Sequence, residues 1–309
     1  MVLSGVQDRL APWQAWLFPR RVYLEIQDRA LTGLALEGEA IGWCETLPLP
    51  EGTITAGSPQ QPEALGDLIG DWLIERGLAG AQVRAVLPWQ ATAWHRLHWP
   101  ASAPAQPLAA ALPADLGPLA FGAPLEQLDL CLEPGEGGDE ALLLATRTDL
   151  LEAWIAVFAQ AGLCLDGVEA AGVCCLRAAA SSRARVLLCA ESEQCWLVLL
   201  RGGWPRWQWH LPAPSQPADL IAALVPALAY CGRQDPAAMA EPLLLVGSGA
   251  CGADFQALLA ALQGAAVAGV ELVDPVGAGG WRVLPQRPLA LPGGALGLLW
   301  GLAVAELVP

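Results

Sequence analysis

The sequence contains two long stretches of the same layout, one beginning at Arg21 and the other at Arg185. The first reads RVYLEIQDRALTGLALEGEAIGWCETLP, and the second reads RVLLCAESEQCWLVLLRGGWPRWQWHLP. In each stretch, apolar runs of strand-like pattern are separated by short polar turns, and segments with helical spacing follow. An internal repeat of this size indicates one structural plan used twice. The repeat therefore predicts an α/β chain with two lobes, each built on a three-strand meander followed by helices.

Other elements follow from periodicity. The first meander is predicted to have strands Arg21–Ile26, Ala30–Leu36 and Ala40–Leu47. The segment GAQVRAVLPWQATAWHRLHWP favours two further strands, and EQLDLCLEP and EALLLATR favour two more that pair with each other. Helices are predicted at EALGDLIGDWLIERGL, at Asp149–Gly162 with Asp149 as its N-cap, at Val168–Ala180, at Pro217–Gly232 and at the C-terminal end.

The charge of the chain excludes some classes of partner. Its 309 residues carry a formal net charge of -15, and all 16 positive side chains are Arg, so Lys is absent. Binding to duplex nucleic acid depends on clustered cations that neutralise phosphates, and docking on anionic lipid needs them too. We therefore expect neither a nucleic-acid partner nor direct binding to a charged membrane surface.

The most apolar stretch, Leu289–Val308, is interrupted by Pro292 and Glu306, and a membrane span needs about 20 uninterrupted apolar residues. A buried terminal helix with no direct membrane insertion is the better interpretation. The nine cysteines show no CxxC spacing, and most sit in apolar runs, which is typical of buried thiols in a reducing compartment. We expect a cytoplasmic protein.

The order of features along the chain resembles the PilM family of type IV pilus assembly proteins, within the actin-like (ribonuclease H-like) ATPase superfamily. The segments that carry the resemblance are the two meanders, LPLPEGTITAGSPQQPEAL, VRAVLPWQATAWHRLHWP, LLLVGSGA, and VELVDP with GGALGLLWGLAVAEL. The resemblance implies a first actin-like lobe at 1–76, resumed at 163–182, and a second lobe at 183–309. Residues 77–162 would form a small inserted α/β subdomain like that of the cell-division protein FtsA.

The resemblance also implies a function. Such proteins are cytoplasmic scaffolds that bind the N-terminal cytoplasmic peptide of the membrane protein PilN, in a cleft between the first lobe and the inserted subdomain. This chain would accordingly lie at the inner face of the cytoplasmic membrane through a PilN-like partner and contact other pilus assembly proteins.

The first turn departs from the family's pattern, which has an Asp before a Gly-containing phosphate loop. Glu25 keeps a carboxylate with a longer side chain, and Gln27 replaces a Gly, which hinders close approach of a phosphate to the backbone. Asp28 adds a negative charge that only Arg29 could offset. If a nucleotide site is retained, its predicted residues are Glu25, Gln27, Asp28, Arg29, Gly247, Ser248 and Gly249.

The second turn departs further. Cys189 stands where the family has a second Asp, Glu191 stands where it has a Gly, and Glu193 adds another acid. Carboxylates packed near a triphosphate repel it by several kcal/mol unless a metal ion or Arg neutralises them. We therefore predict a pseudo-ATPase without catalytic residues or a resident cofactor. ATP and Mg²⁺ would bind only if the site is retained.

Several alternatives stay open. The chain could be an active actin-like ATPase of the same machine, a sugar-kinase-like enzyme, or the related cytoplasmic scaffold of type II secretion. That last protein normally continues into a membrane helix, whereas this sequence ends at Pro309. The acids of the two turns could instead hold a metal ion. Trp204, Trp207 and Trp209 crowd one hairpin of the second repeat and could serve core packing or form a docking surface.

Overall fold

Runs of strands are separated by helices along the chain. The computed structural model describes residues 20–37, 40–99, 108–134, 139–179, 185–191, 194–202, 204–213, 217–247, 268–276, 282–283, 291 and 293–307. The strands are β1 Arg21–Gln27, β2 Ala30–Glu37, β3 Ala40–Pro48, β4 Ile54–Thr55, β5 Ser58–Pro59, β6 Gln82–Leu87, β7 Thr92–His98, β8 Leu128–Pro134, β9 Glu140–Arg147, β10 Cys164–Ala170, β11 Arg185–Ala190, β12 Cys195–Arg201, β13 Trp204–Leu211, β14 Leu243–Val246, β15 Val270–Leu272 and β16 Arg282–Val283. The α-helices are α1 Pro62–Glu75, α2 Leu108–Ala111, α3 Thr148–Gln160, α4 Ala171–Ala178, α5 Pro217–Gln234, α6 Pro236–Met239 and α7 Gly297–Leu307. Short 3-10 turns occupy Trp89–Ala91, Leu125–Gln127 and Gly293–Leu296, and a π-helical turn occupies Gly117–Phe121.

The described residues fall into two compact units. Unit 1 lies within Met1–Ala35 and Thr46–Ala171, and unit 2 lies within Leu36–Glu45 and Gly172–Pro309. This division places the three-stranded sheet β7-β9-β8 inside unit 1 and draws no separate boundary around 77–162. The boundaries of the inserted subdomain therefore stay a prediction.

The main sheet of unit 1 begins with the first meander. Strand β1 pairs antiparallel with β2 and parallel with β6, and β6 pairs parallel with β10. The last residues of β3 lie beside β2, where the hydroxyls of Thr32 and Thr46 are 3.2 Å apart. Alternate side chains of β1, Val22, Leu24 and Ile26, are fully buried on one face of this sheet.

The sheet of unit 2 repeats this plan. Its order is β13-β12-β11-β14-β15, with β11 antiparallel to β12, β12 antiparallel to β13, and β14 parallel to β11. Strand β11 thus has the neighbours in unit 2 that β1 has in unit 1. The predicted duplication of the meander is confirmed, because both halves show the same pairing. Within unit 2, β16 also pairs in parallel with Ala40 and Ile41 of β3.

Helices α1 and α3 pack together in unit 1. Leu65, Ile69 and Leu73 recur at helical spacing on α1 and are buried, as their pattern predicted. Gly66 permits the close approach, because a Cβ there would lie 2.6 Å from the Cβ of Gln160 on α3. Helix α3 in turn buries Trp154 completely.

Two predicted helix starts are wrong. The prediction that Asp149 caps α3 fails because the helix begins at Thr148 after Arg147, and Asp149 lies inside the first turn. The predicted helix Val168–Ala180 begins at Ala171, since Val168 pairs with Ala85 of β6 and extends β10. Sheet pairing thus overrides the local apolar pattern there.

Two expectations about apolar segments and cysteines can be compared with the structure. In the described part of the chain, no helix combines the length and apolar character needed to cross a bilayer. Among the described cysteines, Cys131 and Cys164 are exposed and the other six are buried, so the expectation of buried thiols holds for most of them.

Candidate functional site

Glu25 lies in the middle of β1 and is buried, with 1% of its surface exposed. Its neighbours across the sheet are Thr32 on β2 and Val86 on β6. The Gln27 amide donates a hydrogen bond of 2.5 Å to Glu25 Oε1, whereas no described residue provides a partner for Oε2. Burial raises the pKa of Glu25 to about 7, and the hydrogen bond from Gln27 offsets part of that rise. Near neutral pH this carboxyl is only partly ionised, so it is poorly suited to hold the metal ion of a nucleotide.

Asp28 occupies the tight turn between β1 and β2, and its carboxylate is directed at a neighbouring turn. Asp28 Oδ2 accepts a hydrogen bond from the Ala56 backbone N–H at 2.9 Å, and Oδ1 accepts one from Gly57 N–H, also at 2.9 Å. The Gln90 amide donates a third hydrogen bond to Oδ1 at 3.2 Å. The Asp28 carboxylate therefore accepts hydrogen bonds from three residues of unit 1.

Arg29, the next residue, is a surface side chain. Its guanidinium lies 4.0 Å from the carboxylate of Glu51, and both side chains are mostly exposed. An exposed pair at this distance contributes little stability, because water screens the charges.

The second turn and Gly247, at the end of β14, belong to unit 2. Glu191 is buried, and its backbone N–H donates to the Gln194 carbonyl at 2.8 Å. Gly247 has a φ of 111°, and a Cβ there would lie 2.3 Å from the carbonyl oxygen of Ala190. The fold thus requires Gly at 247 whether or not a ligand binds. Ser248, Gly249 and Glu193 lie outside the described residues.

Unit 1 contains a groove of about 520 Å³ close to Asp28. The β4–β5 turn, the start of β7, strands β8 and β9, and the start of α3 form its walls. Its lining residues are Thr55, Ala56, Ser58, Gln90, Ala91, Thr92, Ala93, Phe121, Leu128, Ala145, Thr146, Arg147, Asp149 and Leu150.

The groove is mostly uncharged and rich in hydroxyl groups. Its charged lining residues, Arg147 and Asp149, pair with each other through two hydrogen bonds, and the bond to Arg147 lowers the pKa of Asp149. The Thr146 hydroxyl donates to the Ala91 carbonyl at 2.8 Å and ties β9 to the start of β7. The groove therefore reaches residues of all three strands of the sheet β7-β9-β8, Thr92 and Ala93 on β7, Ala145 and Thr146 on β9 and Leu128 on β8.

Most of the chain can be aligned with solved structures of known proteins. No sequence-family profile matches it, and no curated protein does. Among solved structures, it is similar to a chain of the PilM-PilN type IV pilus biogenesis complex, at a TM-score of 0.71 and 21% identity over 94% of this chain and 99% of that one. It is also similar to a Bacteroides thetaiotaomicron protein of actin-like ATPase fold and unknown function, at a TM-score of 0.51 and 6% identity over 92% and 95% of the two chains.

The chain has the actin-like fold. The cytoplasmic domain of EpsL, an inner-membrane component of the Vibrio cholerae type II secretion system, aligns at a TM-score of 0.50 and 11% identity over 94% of this chain and 95% of that domain. The fold class predicted from the repeat is thereby confirmed, and the resemblance to PilM is confirmed at the level of the fold.

The predicted nucleotide residues are only partly brought together. Glu25 and Gln27 are hydrogen-bonded to each other, whereas Asp28 and Arg29 point to other partners. Their role toward a nucleotide stays a prediction. Within the described ranges, no group of three or more His, Cys, Asp or Glu side chains is placed to hold a metal ion.

The lining residues of the groove were not predicted individually. Their polar and small side chains, such as Thr55, Gln90 and Thr146, look like ordinary turn and strand residues in the sequence. Gly57, between the lining residues Ala56 and Ser58, has a φ of 76°, which favours glycine in the tight β4–β5 turn.

Two Trp residues of the second meander, Trp207 and Trp209, form a strip on β13. Trp207 is 47% exposed and stacks on Trp209, with ring centroids 6.4 Å apart. Both rings meet Tyr230 of α5 edge-on. Trp209 also packs against the buried core of unit 2, so one ring serves the core and the other reaches the surface.

Proposed function

We propose that this protein is a cytoplasmic scaffold of a type IV pilus assembly machine. It binds the N-terminal cytoplasmic tail of a PilN-like membrane protein in the groove of unit 1 and does not hydrolyse ATP. The tail holds the protein at the inner face of the cytoplasmic membrane, where it meets other pilus assembly proteins. The likeness to a chain of the PilM-PilN complex supports this assignment.

The groove is the observation that carries the proposal. It lies where the sequence resemblance places a peptide cleft, between elements assigned to the first lobe and to the inserted subdomain. The hydroxyl groups of Thr55, Ser58 and Thr92 line it and can hydrogen-bond to the backbone of an extended peptide. Hydroxyl groups and the apolar Phe121 provide contacts for peptide side chains on the other walls.

A blocking substitution tests peptide binding. Ala93→Arg places a long charged side chain on the groove wall, and we expect it to weaken binding by at least about tenfold because the side chain takes the space that the peptide occupies. The measurement is fluorescence anisotropy with a labelled peptide that copies the N-terminal cytoplasmic segment of a PilN-like protein from the same genome. Ala79→Arg, at an exposed position away from the groove lining, is the matched control and should bind like the wild type. Equal binding by both variants would contradict the proposal.

The absence of ATP hydrolysis is supported by the chemistry of the first turn. A catalytic magnesium-nucleotide site needs carboxylates that are ionised and available. Burial raises the pKa of Glu25 to about 7, and the Asp28 carboxylate is engaged by the β4–β5 turn. Neither carboxylate of the first turn is therefore both fully ionised at neutral pH and free to orient Mg²⁺.

An active ATPase of the same fold is the competing candidate, and thermal unfolding separates the two. We expect the midpoint to stay within about one degree when millimolar ATP and Mg²⁺ are added, because a ligand stabilises only the state that binds it. A rise of several degrees, together with phosphate release above background, would favour the ATPase.

The likeness to the EpsL domain supports a second candidate, a scaffold of type II secretion. The same anisotropy assay distinguishes the two machines. It compares the affinity for a peptide from a PilN-like protein with the affinity for a peptide from the cytoplasmic segment of a type II secretion membrane protein.

A further inference from the structure

The groove wall formed by the β4–β5 turn is held from two sides. Ala56 and Gly57 both adopt a left-handed backbone, with φ of 49° and 76°. A residue with a Cβ rarely adopts this conformation, so the surroundings must hold Ala56 there. On one side Asp28 accepts hydrogen bonds from both backbone N–H groups, and on the other the Trp154 indole donates to the Gly57 carbonyl at 2.8 Å.

The same carboxylate reaches a second wall. Gln90 lines the groove just before β7, and its side-chain amide donates to Asp28 Oδ1, the oxygen that also accepts from Gly57. Asp28 therefore joins two groove walls that are far apart in sequence. Hydrogen bonds to an ionised acceptor are stronger than those between neutral groups, which suits such a joint.

We propose that Asp28 is a positioning residue of the groove, which fixes the distance between Ala56 and Gln90 and so presents the groove in a peptide-binding shape. This inference rests on the proposed function, since it concerns the same groove and peptide. The first turn of the actin-like fold thus serves peptide binding in this chain. Its Asp28 carboxylate, which would face a phosphate in a nucleotide site, is hydrogen-bonded to the groove walls instead.

Two substitutions separate the hydrogen bonds. Asp28→Asn can keep its oxygen at the Oδ1 position, where Gly57 and Gln90 donate, but it places an NH₂ group opposite the Ala56 N–H. Asp28→Ala removes all three bonds. We expect peptide affinity to fall about tenfold for Asn and about a further tenfold for Ala. Asp71→Asn, at an exposed position on α1, is the control for loss of one carboxylate and should bind like the wild type.

A second readout shows whether Asp28 acts through the turn. In the full-length protein without peptide, amide hydrogen exchange of Ala56 should accelerate in Asp28→Asn while that of Gly57 changes little, and both should accelerate in Asp28→Ala. The Trp154 indole N–H resonance should shift with the turn, and the midpoint of thermal unfolding of Asp28→Asn should stay within a few degrees of the wild type.

The outcomes distinguish the two proposals. If the wild type binds none of the peptides, the proposed function fails, and this role for Asp28 fails with it. If the wild type binds but Asp28→Asn binds equally well, only the positioning role is overturned. A loss of affinity with unchanged Ala56 exchange would also overturn it, because the effect would not pass through the turn.

Discussion

Glu25→Gln is expected to be more stable than the wild type by about 3 kcal/mol at pH 8 and equally stable below pH 4. Burial raises the pKa of Glu25 from 4.5 to about 7 in the folded protein, so folding favours the protonated form. Wild-type stability should therefore be highest below about pH 4.5 with respect to this group, fall as the pH rises toward 7, and level off above it. Gln has the same shape without the charge, so the variant should lose this dependence. Urea unfolding between pH 4 and 8 measures it.

This prediction has a control variant and an outcome that would contradict it. Glu152→Gln, at an exposed position on α3, removes a carboxylate of the same chemistry and is the control for the change in net charge. If Glu25→Gln and the wild type show the same stability at every pH, a cation neutralises the buried carboxylate. That result would revive a metal or nucleotide site at the first turn.

The meanders could be predicted because their signal is local. Short apolar runs bounded by polar turns mark the strands, as in Val22–Ile26, and the same layout recurs from Arg185. The observed first strands end within one residue of the predicted Ile26, Leu36 and Leu47. The pattern of apolar runs and polar turns thus predicts both the bounds of these strands and the duplication of the meander.

The residues of the groove could not be predicted because their contacts join distant positions. Asp28 bonds to Gly57 across 29 residues and to Gln90 across 62, and none of the three carries a pattern that names the others. The sequence therefore presented Asp28 as an isolated charge, whereas the fold surrounds it with donors. The raised pKa of Glu25 is likewise a consequence of burial. A carboxylate within an apolar strand suggests such burial in the sequence but does not establish it.

Gly301→Ala is expected to destabilise unit 2 by about 3 kcal/mol or more. Gly301 lies in α7, where an added Cβ would stand 1.9 Å from the backbone oxygen of Cys174 on α4. Relief requires one helix to move, but the neighbouring side chains Leu298 and Leu302 on α7 are fully buried and would lose their packing. Overpacking of this kind costs about 1–3 kcal/mol, and a clash with backbone lies at the upper end. Urea unfolding of the purified variant measures the loss.

Gly232→Ala provides the matched comparison, because it is the same substitution in another helix of unit 2. A Cβ there would meet only the Cγ of Met239 at 3.3 Å, and this flexible side chain can move aside. Removing a helix glycine then gains up to about 1 kcal/mol, since Ala restricts the unfolded chain more. We therefore expect opposite signs at the two positions. Equal effects would mean that α7 shifts away from α4 at little cost, and that the close contact at Gly301 does not fix the C-terminal helix in this fold.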